Sequence, residues 1–355
     1  MKAEWKEFLE KAGAELCDGE VATYGNPDQE LSIALTGDVF ADLSHQGLIA
    51  VHGAEAETFL QGQLSNDIRQ VDDTHSQLSS YCSPKGRMLA SFRVFRRGDT
   101  YYLRMPASLV DTSMKRLRMF VLRAQVTLDD ASNTFVQIGV SGPGVSDPLQ
   151  DFFGAVPEAV DQAVQARECT LIRVPGGHPR YEIYGPLEIM RKLWDTSNVR
   201  SAPIGSTAWA LLDIMAGIPV IYPATADAFV PQMANMQLIG AVDFKKGCYP
   251  GQEVVARTQY LGKLKRRMYL GRLAAEQAPV PGDELFSPGT GAEQSVGRIV
   301  DARPHPDGGY ALLAVVQIAS AEGDTLHYGA LDGPVMELLA LPYPFAEAET
   351  GTTAS

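Results

Sequence analysis

Lys245-Lys246-Gly247-Cys248-Tyr249-Pro250-Gly251-Gln252-Glu253, continued by Val254-Val255-Ala256-Arg257, is the stretch from which the rest of the chain is read. Two lysines precede a turn glycine and a single thiol, and Pro250-Gly251 then lead into a run of helix formers. Proline favours the first helical turn, and an acid such as Glu253 is stabilised there by the helix dipole. The pattern therefore predicts Cys248 just before a helix N-terminus and beside two cations, conditions that favour the thiolate. The same run, with Val254-Val255 and Thr258, also suits a strand, in which case the dipole contribution disappears. The plainer reading of a lone cysteine is a small buried apolar residue.

The 355 residues suffice for two or three domains, with 45% hydrophobic and 21% charged content typical of a globular chain. No run of about 18 apolar residues occurs, so no membrane-spanning helix is expected. Residues 1–10 lack the apolar core of a signal peptide, and the expected location is cytoplasmic. Cys17, Cys82, Cys169 and Cys248 are scattered without a Cys-x-x-Cys, so neither a zinc ribbon nor a self-contained cluster motif is expected. There is no phosphate-cradling glycine motif and no His-x-x-x-His pair. The net charge of −13 argues against a general nucleic-acid binder. Yet Lys245 to Arg272 carries eight basic residues and one acid. That patch suits a polyanion such as an acidic partner or RNA; a solvated linker face explains it equally well.

Taken in order, residues 1–30 read as a short helix and a Gly/Asn/Pro-rich lead-in at the periphery. Gly47–Val51 reads as a strand, Ala54–Leu64 as a helix with Phe59 and Leu60 on one face, and Ser65-Asn66-Asp67 as its closing turn. Ser83–Arg87 is a turn, and 88–96 with 100–104 a hairpin. Residues 107–123 form an amphipathic helix, and 124–128 a strand. The order strand–helix–strand–strand–helix–strand predicts a ferredoxin-like α+β unit. A second unit follows, with strands at 135–140, 171–174 and 180–184 and helices at 145–153 and 187–194. The loop 175–179 carries an exposed His178. Residues 205–215 read as a further helix. Residues 269–340, punctuated by Pro281-Gly282-Asp283 and Pro306-Asp307-Gly308-Gly309, predict a small all-β barrel.

Lys-Gly-Cys-Tyr-x-Gly-Gln-Glu resembles the signature of the YgfZ family, folate-binding relatives of the glycine-cleavage T-protein that assist iron–sulfur enzymes. Phe59–Asp67, Ala216-Gly217-Ile218-Pro219, Phe229–Asn235, Tyr260–Lys263 and Lys265-Arg266-Arg267 agree with it, and the likeness spans roughly residues 45 to 340. The resemblance implies an α+β, three-lobed ring of two ferredoxin-like units and a C-terminal all-β barrel around a folate channel. It sets the boundaries at 1–30 (lead-in), 31–132 with 205–262 (first unit), 133–204 (second unit), 263–344 (barrel) and 345–355 (disordered tail). The implied cofactor is tetrahydrofolate and no metal. The implied partners are iron–sulfur clients or assembly proteins, with weak RNA contact through 263–267. The implied working residues are Cys248, Lys246, Tyr249 and Glu253. Gln252, Arg257, Asn66, Asp67, Gln232, Asn235 and Arg87 are implied to face the folate.

Two departures from the T-protein matter. Its acidic pair, on the strand after a glycine turn, is matched here by Gly86-Arg87-Met88-Leu89-Ala90-Ser91, which has no carboxylate. Its Arg-x-Glu-Ala-Gly run, whose acid helps hold the pterin, is matched by Asp213-Ile214-Met215-Ala216-Gly217. Loss of a proton-handling group typically costs about 10²–10⁴-fold in rate. The leading expectation is therefore a folate-dependent accessory protein for iron–sulfur enzymes, including radical enzymes that modify tRNA. The alternatives are a tetrahydrofolate-dependent one-carbon transferase or demethylase, and a binding module for another ligand.

Overall fold

The computed structural model describes residues 1–260, 262–290 and 294–345. The expected tail lies outside them apart from Phe345, as does Leu261. Among the described residues, no helix is long and apolar enough to cross a membrane.

The first unit is a five-stranded antiparallel sheet in the order 77–82, 88–97, 100–106, 46–52, 127–130. The last four strands reproduce the ferredoxin-like order. The edge strand Gln77–Cys82 is an addition, reading Gln-Leu-Ser-Ser-Tyr-Cys with too few apolar residues to show a period of two. Ala56–Gln61 and Ala107–Arg118 bury Phe59, Leu60, Leu109, Val110 and Leu117 on one face. Both helices end earlier than the apolar pattern suggests, and the strand after the second begins at Thr127.

The second sheet runs 163–166, 169–173, 180–185, 136–141, 39–42, 202–204. Val39–Asp42 comes from the stretch expected in the first unit, yet pairs antiparallel with Val136–Ser141 and parallel with Ala202–Ile204. The two sheets meet face to face through Leu48, Phe95 and Tyr102 on one side and Ile172, Val174 and Tyr184 on the other.

The expected peripheral lead-in is instead core. Helix Ala3–Lys11 presents Trp5 and Leu9, 1% and 0% exposed, to Phe40 and Trp194 in the core of the second unit. Trp5 Nε1 donates to the buried Asp42 at 2.7 Å. A second helix, Pro27–Thr36, occupies the Gly/Asn/Pro-rich run. Asn26 caps it by accepting the Gln29 N–H, with Pro27 in the first turn.

The last lobe is a six-stranded antiparallel sheet, ordered 327–328, 284–286, 297–304, 310–317, 266–273, 336–339. It curls into a half-barrel, drawn together at its edges by a bridge between His327 and Val335. Helix Ser206–Met215, apolar nearly all round, packs on Pro27–Thr36 and on strands Gly297–Pro304 and Tyr310–Gln317. Its Trp209 ring lies so close to Gly139 that a Cβ there would sit 2.4 Å from it. This helix thereby joins the second sheet to the half-barrel.

Candidate functional site

The Cys248 loop is fastened to the first unit at several points. Asp243 accepts the backbone N–H groups of Lys245 and Lys246 at 2.6 and 3.1 Å. Lys246 turns inward, 5% exposed, and donates to the carbonyls of Gln61 (2.7 Å), Asn66 (3.1 Å) and Leu64. Its ammonium also lies 5.2 Å from the centre of the Tyr249 ring. Burial lowers the Lys246 amine to about 8 and pushes the Tyr249 phenol up. Gln252 donates to the Lys246 carbonyl at 3.2 Å, and Gln232 to the Val255 carbonyl at 2.6 Å. Gly251 has φ +81°, and a Cβ on it would stand 2.4 Å from the Ser83 carbonyl, so only glycine lets the loop lie on the Ser83–Arg87 turn.

Cys248 itself is exposed. The helix after it exists but starts at Gln252, separated from the thiol by Tyr249, Pro250 and Gly251. The expected Lys246 ammonium is committed to three carbonyls and does not serve the sulfur. Lys245, Glu253 and Arg257 point to solvent. No group of three or more His, Cys, Asp or Glu side chains among the described residues is placed to hold a metal ion.

The other expected contacts fall in separate places. Asn66 donates to the carbonyls of Leu78 and Gly240 at 2.9 and 2.7 Å. Asp67 takes a bidentate pair from Arg69, which holds its carboxyl down to about 2. Arg87 donates to the Ala228 carbonyl at 2.8 Å and borders a cleft facing the half-barrel. Asn235 donates to Met268 O at 2.9 Å, and its amide lies 3.5 Å from the Tyr343 hydroxyl.

A roomier space lies elsewhere. A cavity of about 600 Å³ is enclosed by the second unit, helices Pro27–Thr36 and Ser206–Met215, and the C-terminal segment at Tyr343. Leu78, Leu212, Met215 and Ile218 give its wall apolar surface, and Asp161, His178 and Arg180 give it polar groups. Arg180 is 0% exposed, lies 4.2 Å from the centre of the Trp209 ring and donates to Asp213 at 2.8 Å. Beside it, Arg93 meets Asp161 at 2.5 Å and Arg104 pairs with Glu182. Burial opposes the Glu182 charge, but Arg104 and Arg93 outweigh it and hold the carboxyl down to about 2. None of the residues expected to face folate lines this cavity, whereas the Asp213–Gly217 run ends on its wall. Sequence reasoning missed Arg93, Arg180 and Glu182. The available signal was a charge inside a strand whose neighbours read as buried.

With this geometry in hand, similarity to known proteins becomes informative. The GCVT N-terminal domain family matches residues 27–246. A protein from Colwellia psychrerythraea named tRNA-modifying protein YgfZ is 30% identical over 302 residues, covering 85% of this chain and 92% of the relative. Its namesake from Photorhabdus laumondii is 34% identical over 245 residues, 68% and 73% of the two chains. The structure of the glycine-cleavage aminomethyltransferase T of Bartonella henselae superposes with a TM-score of 0.78 at 20% identity, covering 95% and 96%. That likeness is one of fold, and it extends over all three lobes. The match through most of the two α+β units, together with 30% identity along nearly the whole length, means that the chain belongs to the YgfZ family of GCVT-domain proteins.

Proposed function

We propose that this protein binds a reduced folate in the central cavity and supports iron–sulfur enzymes, among them radical enzymes that modify tRNA, through the exposed Cys248 loop. The observation that carries the folate half is the position of the Asp213–Gly217 run. Its counterpart in T-proteins holds the pterin, and here it borders a cavity of about 600 Å³, within the usual range for a cofactor site. Behind this wall Asp213 holds Arg180, whose guanidinium lines the cavity. Met215 offers an apolar surface to the ring. Folate, when bound, supplies one-carbon carriage; the chain's own part is to enclose and orient it.

Aminomethyl transfer is disfavoured by the same geometry. The strand after the Gly86 turn carries no carboxylate at its start, and its Ser91 lies in a small neighbouring pocket. The Ser91 hydroxyl is tied between the Pro219 carbonyl (3.4 Å) and the Ile221 N–H (3.2 Å). The exposed Cys248 thiol is open to a partner protein, and Lys246 acts as the residue that positions its loop.

Two measurements test the reading. Calorimetric titration with tetrahydrofolate should give saturable binding well below millimolar; its absence sinks the folate half. Complementation of a strain lacking its own YgfZ should restore tRNA thiomethylation with the wild-type chain and fail with Cys248→Ala. Full restoration by the variant removes Cys248 from the mechanism.

A further inference from the structure

A second cleft, of about 340 Å³, opens between the Ser83–Arg87 turn, the 226–229 segment and the half-barrel. Three guanidinium groups from distant parts of the chain line it: Arg87, Arg266 and Arg298. Arg87 is steadied by the carbonyls of Asp227 and Ala228 and remains exposed. Arg298 touches Glu284 at 3.3 Å, with both side chains nearly half exposed, a pairing too loose to neutralise the site. Arg266 has no ion pair or hydrogen bond among the described side chains. Asp227, the other acid, is engaged by the Ser83 hydroxyl at 2.7 Å.

The approach to Arg266 has the same character. Arg257, Lys263 and Lys265 are exposed and carry no ion pair among the described residues, and Tyr260, between them in sequence, is 67% exposed. Tyr260 meets Phe244 edge to face at 6.1 Å and is otherwise exposed; unpaired cations beside an exposed aromatic side chain are the combination that holds phosphates while a base stacks.

We propose that this cleft, together with Arg257, Tyr260, Lys263 and Lys265, forms a binding site for single-stranded nucleic acid. The phosphates sit on Arg87, Arg266 and Arg298, and a base stacks on Tyr260. Guanidinium forks suit phosphate oxygens. A protein partner is the poorer fit, because a stable protein interface has an apolar centre and the cleft's one large apolar residue, Phe229, is itself buried. A duplex is also the poorer fit, since its bases are not free to meet Tyr260. The proposal extends the tRNA side of the function above but needs no folate in the cavity, so the titration and the following assay fail independently.

The test is fluorescence anisotropy on the full chain with labelled oligo-uridine and oligo-deoxythymidine of roughly a dozen nucleotides, from about 50 to about 200 mM salt. Saturable binding that weakens with salt is expected, and the ratio of the two probes assigns the sugar preference. Arg266→Gln combined with Arg298→Gln should reduce the salt slope by about 1.4, the release expected for two phosphate contacts on a single strand. Tyr260→Ala should weaken binding about 5- to 100-fold. Removing the same charge from the second unit with Lys192→Gln and Arg200→Gln should leave both values unchanged. No saturable binding at low salt overturns the proposal. So does an unchanged slope in the cleft variant, an equal loss in the remote variant, or displacement of the RNA by oligoglutamate at equal charge. Thermal melts of each variant keep a folding defect from passing as lost binding.

Discussion

Lys246 shows how one side chain changes role between sequence and structure. Beside a thiol in sequence, it lies in the structure under the loop, where its three donors meet three carbonyls left open near the end of helix Ala56–Gln61. Lys246→Met should destabilise the chain by about 1–3 kcal/mol, since buried acceptors lose a charged donor. The pH dependence has a definite sign. The amine is lowered by burial from 10.5 to about 8, so between these values the unfolded chain holds a proton that the folded chain has released. The contribution of this group to stability therefore rises with pH through that window and is flat below it. Urea unfolding at about pH 8 and about pH 10 should show this gain in the wild type and not in Lys246→Met.

Among the elements, the N-terminal helix Ala3–Lys11 carries the clearest energetic consequence. Its Trp5 ring stacks on Phe8 and meets Trp194 edge-on, with centroids 5.1 and 5.5 Å away. Trp5→Ala should cost about 3–5 kcal/mol by opening the core of the second unit. It also removes the donor to Asp42, whose pKa burial already raises. A shifted urea midpoint with little change in tetrahydrofolate affinity is expected; a variant as stable as the wild type would show that the helix merely rests on the surface. Pro27–Thr36 had a readable start in Asn26-Pro27, an N-cap followed by a first-turn proline. The edge strand Gln77–Cys82 had none, because its hydroxyls and amide face protein on both sides.

For the whole molecule, the ring of three lobes creates the cavity, and Met215 sets its chemistry. Met215→Glu places a carboxylate where the T-protein resemblance expects one, in a cavity that Arg180 also lines. If the cavity takes a reduced folate, this change should raise affinity about 10- to 100-fold, the worth of a charged hydrogen bond to the pterin. Calorimetry on both proteins checks it, and an unchanged or weakened affinity would mean that the pterin does not lie against this run.

The sequence by itself determined the kind of molecule. An eight-residue cysteine motif pointed to the family, and local periodicity and turn residues marked out the two α+β units and the β-rich lobe, because these signals are written within a few residues. The tertiary structure alone decided where charges point and which segments share a core. Val39–Asp42 joins the second sheet, Trp5 enters a core of far-off residues, and Arg180 finds Asp213 across 33 positions. Periodicity reports which face of an element is buried. It carries no record of what that face is buried against, and partners distant in sequence are chosen only when the lobes close on one another.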